Sequence, residues 1–303
     1  MHLGIDLGGT KTEIIVLNAD NKAVYNKRVA SPQGDYTKTL SNLSSLINDA
    51  EKSLGHRCTI GIGIPGSISP TSGLVQNANS TWLIGKNLKQ DLERSIGRPI
   101  ALANDADCFT LSEASDGAAK DQTCVFGVIL GTGVGGGICI NQHILVGPNA
   151  ITGEWGHNVM PAPLQTNSNA AQCYCGKTHC IETYLSGPAF VRRTVETTGA
   201  KVSSVQELLK LSTENTQIKD AFERYYEGLA YTLAQVVNVL DPNAIVLGGG
   251  LSNLRDLYIE VPKRIKKYVF SEQFETPIQP AKYGDASGVR GAAWLGRELE
   301  ARS

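Results

Sequence analysis

The chain has 303 residues, 41% of them hydrophobic and 19% charged, with a formal net charge of -1. That length is enough for two cores, since a single hydrophobic core stops growing near this size. The near-neutral balance, with no block of Lys or Arg, argues against nucleic acid as a partner, and no run is long and apolar enough to predict a membrane helix.

The N-terminus reads as strand, turn, strand: "HLGIDL" is apolar, "GGTKT" is a turn and "EIIVLN" is β-branched again, with "AVYNKRVAS" as a third strand. Tyr36, Leu40, Leu43, Ile47, Ala50 and Leu54 recur at steps of three and four and predict a helix that Gly55 ends. "TIGIGIPG" returns to a buried strand. The opening "MHLGIDLGG" shows no basic n-region and no cleavage-site pattern, so secretion is not expected and a cytoplasmic location is. Cys58, Cys108, Cys124 and Cys139 sit singly in apolar surroundings and read as buried thiols.

From Thr123 the same order of elements begins again. "TCVFGVIL" is a strand, "GTGVGGG" a turn, "ICIN" a strand and "HILVG" a third. An irregular insert follows over about residues 147–186, rich in Gly, Pro, Asn and Cys, and loops of that length are usually functional or held by something. A long helix is predicted over about 221–240, with Phe222, Tyr225, Leu229, Leu233, Val236 and Leu240 inward and Asp241-Pro242 as its stop. "AIVLGGG" is one more buried strand. The two halves share an order of elements and not residues.

Three glycine clusters sit at strand ends. In "DLGGTKT" glycines let backbone N–H groups approach a phosphate, Thr10 adds a hydroxyl and Asp6 can hold a hydrated Mg²⁺; a plain hairpin with a charged tip explains the stretch equally well. "GTGVGG" matches G-x-G-x-x-G, but the β-branched "GICIN" follows where a dinucleotide fold needs a helix, so a hairpin phosphate loop is expected instead. No G-x-x-x-x-G-K-[ST] occurs. "LGGGLS" reads as a strand running into a helix with Ser252 as N-cap. Together the clusters predict one nucleotide gripped by the two halves.

"LANDADCFTLSEA" puts Asn104 and Asp105 at a strand end before a helix. Asp105 is either the helix N-cap or a general base for phosphoryl transfer, which needs positioning, Mg²⁺ and a carboxylate to accept the hydroxyl proton. "GEWGHN" supplies Glu154 and His157. His157 with Cys173, Cys175 and Cys180 of "CYCGKTHCIE" makes a Cys₃His set that fits a closed tetrahedral zinc site, and C-x-C is cramped for a mutual disulfide. A cysteine-rich loop without metal stays open. Zinc would pin the insert, leave the second ring nitrogen of His157 for a substrate hydroxyl and aim Glu182.

"DLGGTKT", "GIGIPG", "ANDAD", "LGTGVGGG", "GEWGHN", "CYCGKTHCIE" and "VLGGGLS" together resemble the ROK family of bacterial sugar kinases and sugar-responsive repressors, over about residues 4–294. "PGSISPTSGLVQNANSTWL" and "GDASGVRGAAWL" look most like its fructokinase and mannokinase branch, with N-acetylglucosamine kinases as close relatives. The resemblance implies an α/β, actin-like (ribonuclease H-like) duplicated fold. It implies a smaller domain of residues 1–117 plus 289–303, a larger one of 118–288 bearing the zinc insert, an interdomain active-site cleft and usually a homodimer. It implies ATP-dependent phosphorylation of a hexose at O6, fructose first, then mannose or glucose. An N-acetylglucosamine or N-acetylmannosamine kinase is the alternative, and a non-catalytic sugar sensor the alternative of another class.

By the same resemblance Asp105 is the base, and Asn79, Asn104, Glu154, His157 and Glu182 join it as sugar contacts. Gly4, Asp6, Gly8, Gly9, Thr10 and Lys11, with Gly131, Thr132, Gly133, Gly135 and Gly136, grip phosphate and Mg²⁺. Gly248, Gly249 and Gly250 meet adenosine, and the Cys₃His set is structural zinc. His179 stands where the family commonly has glycine; it cannot easily share one ion with Cys180, which is retained as the ligand. The repressors carry an added N-terminal DNA-binding segment that is not expected here.

Overall fold

A computed structural model describes residues 1–165 and 172–299, in two compact units. The first comprises Met1–Thr123, Gly137–Thr152 and Asp285–Ser303; the second comprises Cys124–Gly136 and Gly153–Gly284. These bounds differ from 117/118 and 288/289, and Gly137–Thr152 groups with the first unit.

The first unit holds β1 (His2–Leu7), β2 (Lys11–Leu17), β3 (Ala23–Ala30), α1 (Tyr36–Leu54), β4 (Thr59–Ile64), β5 (Ser67–Ile68), β6 (Val75–Gln76), α2 (Leu88–Ile96), β7 (Ala101–Asn104) and α3 (Asp105–Ser115). α1 forms where its apolar spacing predicts. Asp35 caps it by accepting from Lys38 N, and Gly55 (φ 63) closes it by donating to Glu51 O. The sheet order is β3-β2-β1-β4-β7, antiparallel from β1 to β3 and parallel from β1 to β7. One face buries Leu3, Ile5, Ile14 and Ile62 with Leu43 and Ile47 of α1. Ile15 and Leu17 on the other face pack with Val289 and Ala293 of the last helix, α9 (Ser287–Arg297). β1 is covered on both faces, which is why it reads as an almost unbroken apolar run.

The second unit contains β8 (Cys124–Leu130), the start of β9 (Val134–Ile140), α4 (Glu182–Leu185), α5 (Gly187–Thr198), α6 (Val205–Leu211), α7 (Thr216–Leu240), β11 (Ala244–Gly248), α8 (Leu257–Ile265) and β12 (Ile278–Pro280); β10 (His143–Ile144) belongs to the first. The second sheet runs β10-β9-β8-β11-β12, with β8, β11 and β12 parallel. α7 begins five residues before the predicted 221, because Asn215 accepts from Gln217 N and Ile218 N and supplies a cap that apolar spacing does not reveal. Val236 and Leu240 are half-buried, and Val237 takes the inward position at the end of the helix. The "HILVG" strand shrinks to His143–Ile144. Among the described residues no helix is long and apolar enough to cross a membrane.

Candidate active site

In the first unit Asp6 is the last residue but one of β1, opposite Glu13 on β2 and Gly63 on β4. The following turn closes with Gly8 N donating to Lys11 O at 3.0 Å. Thr10 and Lys11 are exposed at its tip. The pKa of Asp6 is raised to about 7, first by burial, then by the charges of Asp105 and Glu13, with Arg28 opposing. Glu13 itself is held by an ion pair with Arg28.

Asn104, not Asp105, is the N-cap of α3: its Oδ1 accepts from Ala106 N at 2.9 Å and its Nδ2 donates to Gly66 O at 2.9 Å. The capping reading of Asp105 therefore falls, and its carboxylate projects from the first helical position, where the helix N-terminus favours negative charge. Asp105 Oδ1 also accepts from Ala106 N, at 2.8 Å. The residue keeps solvent-exposed surface while protein atoms crowd it. That crowding raises its pKa against the lowering pull of the Ala106 and Asp105 N–H groups and of Asn104. Asn79 is exposed between buried Ala78 and Ser80. Gly4 is buried, and a Cβ there would lie 2.2 Å from Val289 O, so packing against α9 accounts for this glycine.

In the second unit the hairpin turn is shorter than the glycines suggest. Gly131 N donates to Gly133 O at 2.9 Å, and strand begins at Val134. Gly135 and Gly136 lie inside β9. Gly135 O accepts from Trp155 Nε1 at 2.9 Å, and a Cβ on Gly136 would meet Trp155 Cδ1 at 2.9 Å. Gly136 thus clears room for the buried indole, and Gly135 meets it through its carbonyl. At the end of β11, Gly249 has φ 80 and a Cβ there would lie 2.5 Å from Leu130 O. Ser252 is not an N-cap; it lies within a short 3-10 turn, Gly250–Asn253, and its hydroxyl donates back to Gly249 O at 2.7 Å.

Gly131, Thr132 and Gly250 line one pocket of about 660 Å³, which joins two of the three glycine clusters. Its wall is α5, through Pro188, Val191 and Val195, together with Val205. These residues escape sequence reading. Valines at helical spacing signal only a packed face.

The insert supplies the remaining candidates. Glu154 precedes a 3-10 turn, Trp155–His157, fixed by the buried Trp155. His157 Nδ1 lies 3.5 Å from Cys173 Sγ, and Cys175 Sγ lies 3.6 Å from Cys180 Sγ. The four ligand atoms of His157, Cys173, Cys175 and Cys180 all fall within 4.8 Å of one another. A tetrahedral zinc with arms of ~2.3 Å sets sulfurs about 3.8 Å apart, so the donor set fits the metal. All seven cysteines are free thiols. Burial, then its two sister thiols, pushes Cys180 up to about 12, a crowding that a cation relieves.

His179 adopts φ 57 and turns away, its Nδ1 lying 2.6 Å from Tyr184 Oη, so it leaves the cluster to Cys180. Glu182 starts α4 directly after the clip, and its Oε2 accepts from Val134 N at 3.0 Å, which ties it to the hairpin turn. The second nitrogen of His157 is not open as expected: Nε2 lies 3.1 Å from Tyr174 Oη and 3.9 Å from Glu154 Oε2. Burial, then the charges of Glu182 and Glu154, pushes the Tyr174 phenol up to about 12.

The ROK family model matches residues 2–298. N-acetyl-D-glucosamine kinase of Photobacterium profundum is 40% identical over 97% of this chain and 99% of its own. N-acetyl-D-glucosamine kinase of Yersinia enterocolitica is 38% identical over the same shares. Among solved structures, the ROK hexokinase from Thermus thermophilus superimposes with a TM-score of 0.86 at 26% identity, covering 99% of both chains. With its duplicated α/β sheets of actin-like type, the chain belongs to the ROK family and to the sugar kinases within it.

Proposed function

We propose that the protein transfers the γ-phosphoryl group of ATP to the 6-hydroxyl of an N-acetylated hexosamine, N-acetylglucosamine first. Relatives that cover nearly the whole chain are named N-acetyl-D-glucosamine kinase, which moves the preference away from fructose and onto the reading that stood second in the sequence. The observation that carries the catalytic part is Asp105, a carboxylate at a helix start, open to solvent, with a pKa lifted by its surroundings.

As O6 bonds to phosphorus, Asp105 accepts the hydroxyl proton and the bond from phosphorus to the bridging β-oxygen breaks, releasing ADP. Asn104 fixes the corner from which Asp105 projects. Glu154, His157 and Glu182 are assigned to sugar hydroxyls, and the Gly8–Lys11 and Gly131–Gly133 turns to phosphates. Gly250 and the α5 pocket are assigned to the nucleoside. Mg²⁺ with ATP supplies charge neutralisation at the phosphates, and Asp6 would hold it through water. His157, Cys173, Cys175 and Cys180 would hold a structural zinc.

A coupled ADP-release assay across N-acetylglucosamine, N-acetylmannosamine, glucose, mannose and fructose tests the reading. N-acetylglucosamine is expected to give the highest kcat/KM. A higher value with fructose restores the first sequence reading, and no ADP with any of the five overturns the kinase assignment.

A further inference from the structure

Tyr174 lies between two metal-ligand positions, yet its own side chain is not explained by the metal or by packing. It is 70% exposed. Backbone bonds from Cys173 N to Lys177 O and from Gly176 N to Cys173 O hold the loop that carries it. Its ring meets the imidazole of His157 edge to face, with centroids 5.3 Å apart at 84°. Its hydroxyl lies 3.1 Å from His157 Nε2, the nitrogen opposite the one beside Cys173. Glu154 is 3.9 Å from the same nitrogen. An acid, an imidazole and a phenol thus share one point, with most of the aromatic ring in solvent.

Glu154, His157 and Glu182 pair with hydroxyls, and every hexose offers those. They give no reason to prefer an acetamido group, which adds a methyl and an amide. A methyl needs an apolar surface, and an amide needs a partner that can both donate and accept. A tyrosine provides both in one side chain. Resting on the hexose-kinase reading above, we infer that Tyr174 is a specificity-determining residue: its phenol yields His157 Nε2 to a sugar hydroxyl and its ring and hydroxyl then receive the acetamido group, selecting N-acetylated hexosamines over plain hexoses.

The test uses Tyr174→Phe and Tyr174→Ala, with zinc content, kcat/KM for N-acetylglucosamine and for glucose, and calorimetric Kd for both sugars. In Tyr174→Ala the ratio of kcat/KM for N-acetylglucosamine to that for glucose is expected to fall about tenfold or more, the size of one lost apolar contact with its hydrogen bond, and mainly through KM. Tyr174→Phe, which keeps the ring, falls part of the way. Zinc content stays at the wild-type level. An unchanged ratio in Tyr174→Ala overturns the inference, and so does an equal loss for both sugars accompanied by loss of zinc, which would make Tyr174 part of the clip alone. The Kd ratio reads the same preference without turnover. Failure of the kinase reading would show separately, as absence of ADP from the wild-type protein.

Discussion

Two carboxylates in the first unit carry the chemistry proposed for it, and their environments differ. Asp105 stands at a helix start with Asn104 doing the capping, so removing its charge should leave the corner intact. Asp105→Asn is expected to lower kcat by about 10²–10⁴, the range for a lost general base, with sugar Kd close to wild type. Stopped turnover with preserved calorimetric binding supports the base, and wild-type kcat rules it out. Asp6 differs because its pKa is raised from 3.8 to about 7, chiefly by burial and then by Asp105 and Glu13. The folded state therefore holds a proton that the unfolded chain gives up. Its stabilising effect is complete below the unfolded value and fades as pH climbs toward the folded one. In magnesium-free buffer, Asp6→Asn should gain stability over the parent at about pH 8 and little at about pH 4. Denaturant midpoints at the two pH values check this, and equal differences at both would contradict the burial argument.

At the scale of elements, the clip and the turns behave differently from one another. The insert is held by short backbone links such as Ile181 N to Asn158 O and Met160 N to His179 O, and the Cys₃His cluster would add a metal to them. Cys175→Ser is expected to drop bound zinc from about one per chain to near zero and to lower activity with it, since Glu182 follows the clip directly. A metal-free variant with full activity would separate the clip from catalysis. This cluster was legible in the sequence because ligand chemistry is written in residue type and spacing. α1 and β1 were legible because periodicity and capping agree, as at Asp35 and Gly55. The glycine runs were only half legible. Composition does not distinguish a glycine that opens a turn, such as Gly133, from one that clears room for an indole, such as Gly136. The α5 wall and Tyr174 were missed for a related reason: what each faces is decided by tertiary neighbours.

Across the whole molecule the two sheets repeat one order, β3-β2-β1-β4-β7 and β10-β9-β8-β11-β12, with hairpin strands leading outward and parallel strands on the other side. Residues show no such repeat, because the topology needs only apolar strands and tight turns. The first unit adds one device of its own. Its sheet is covered by α9 from the far end of the chain, which packs on β1, β4 and α3. The approach is close enough to require glycine on both sides. A Cβ on Gly291 would lie 1.6 Å from Cys108 O, and one on Gly61 1.9 Å from Ala292 O. Backbone atoms cannot swing aside as a side-chain end can, so even one methyl forces α9 and α3 apart. Gly291→Ala is expected to cost about 3 kcal/mol, the upper part of the overpacking range, and to lower Tm by roughly 5–10 °C. Because Cys108 lies on the helix that begins at Asp105, the same variant should lose kcat at temperatures where it is still folded. A melting curve and kcat both matching the wild-type protein would mean that α9 does not clamp α3 in solution.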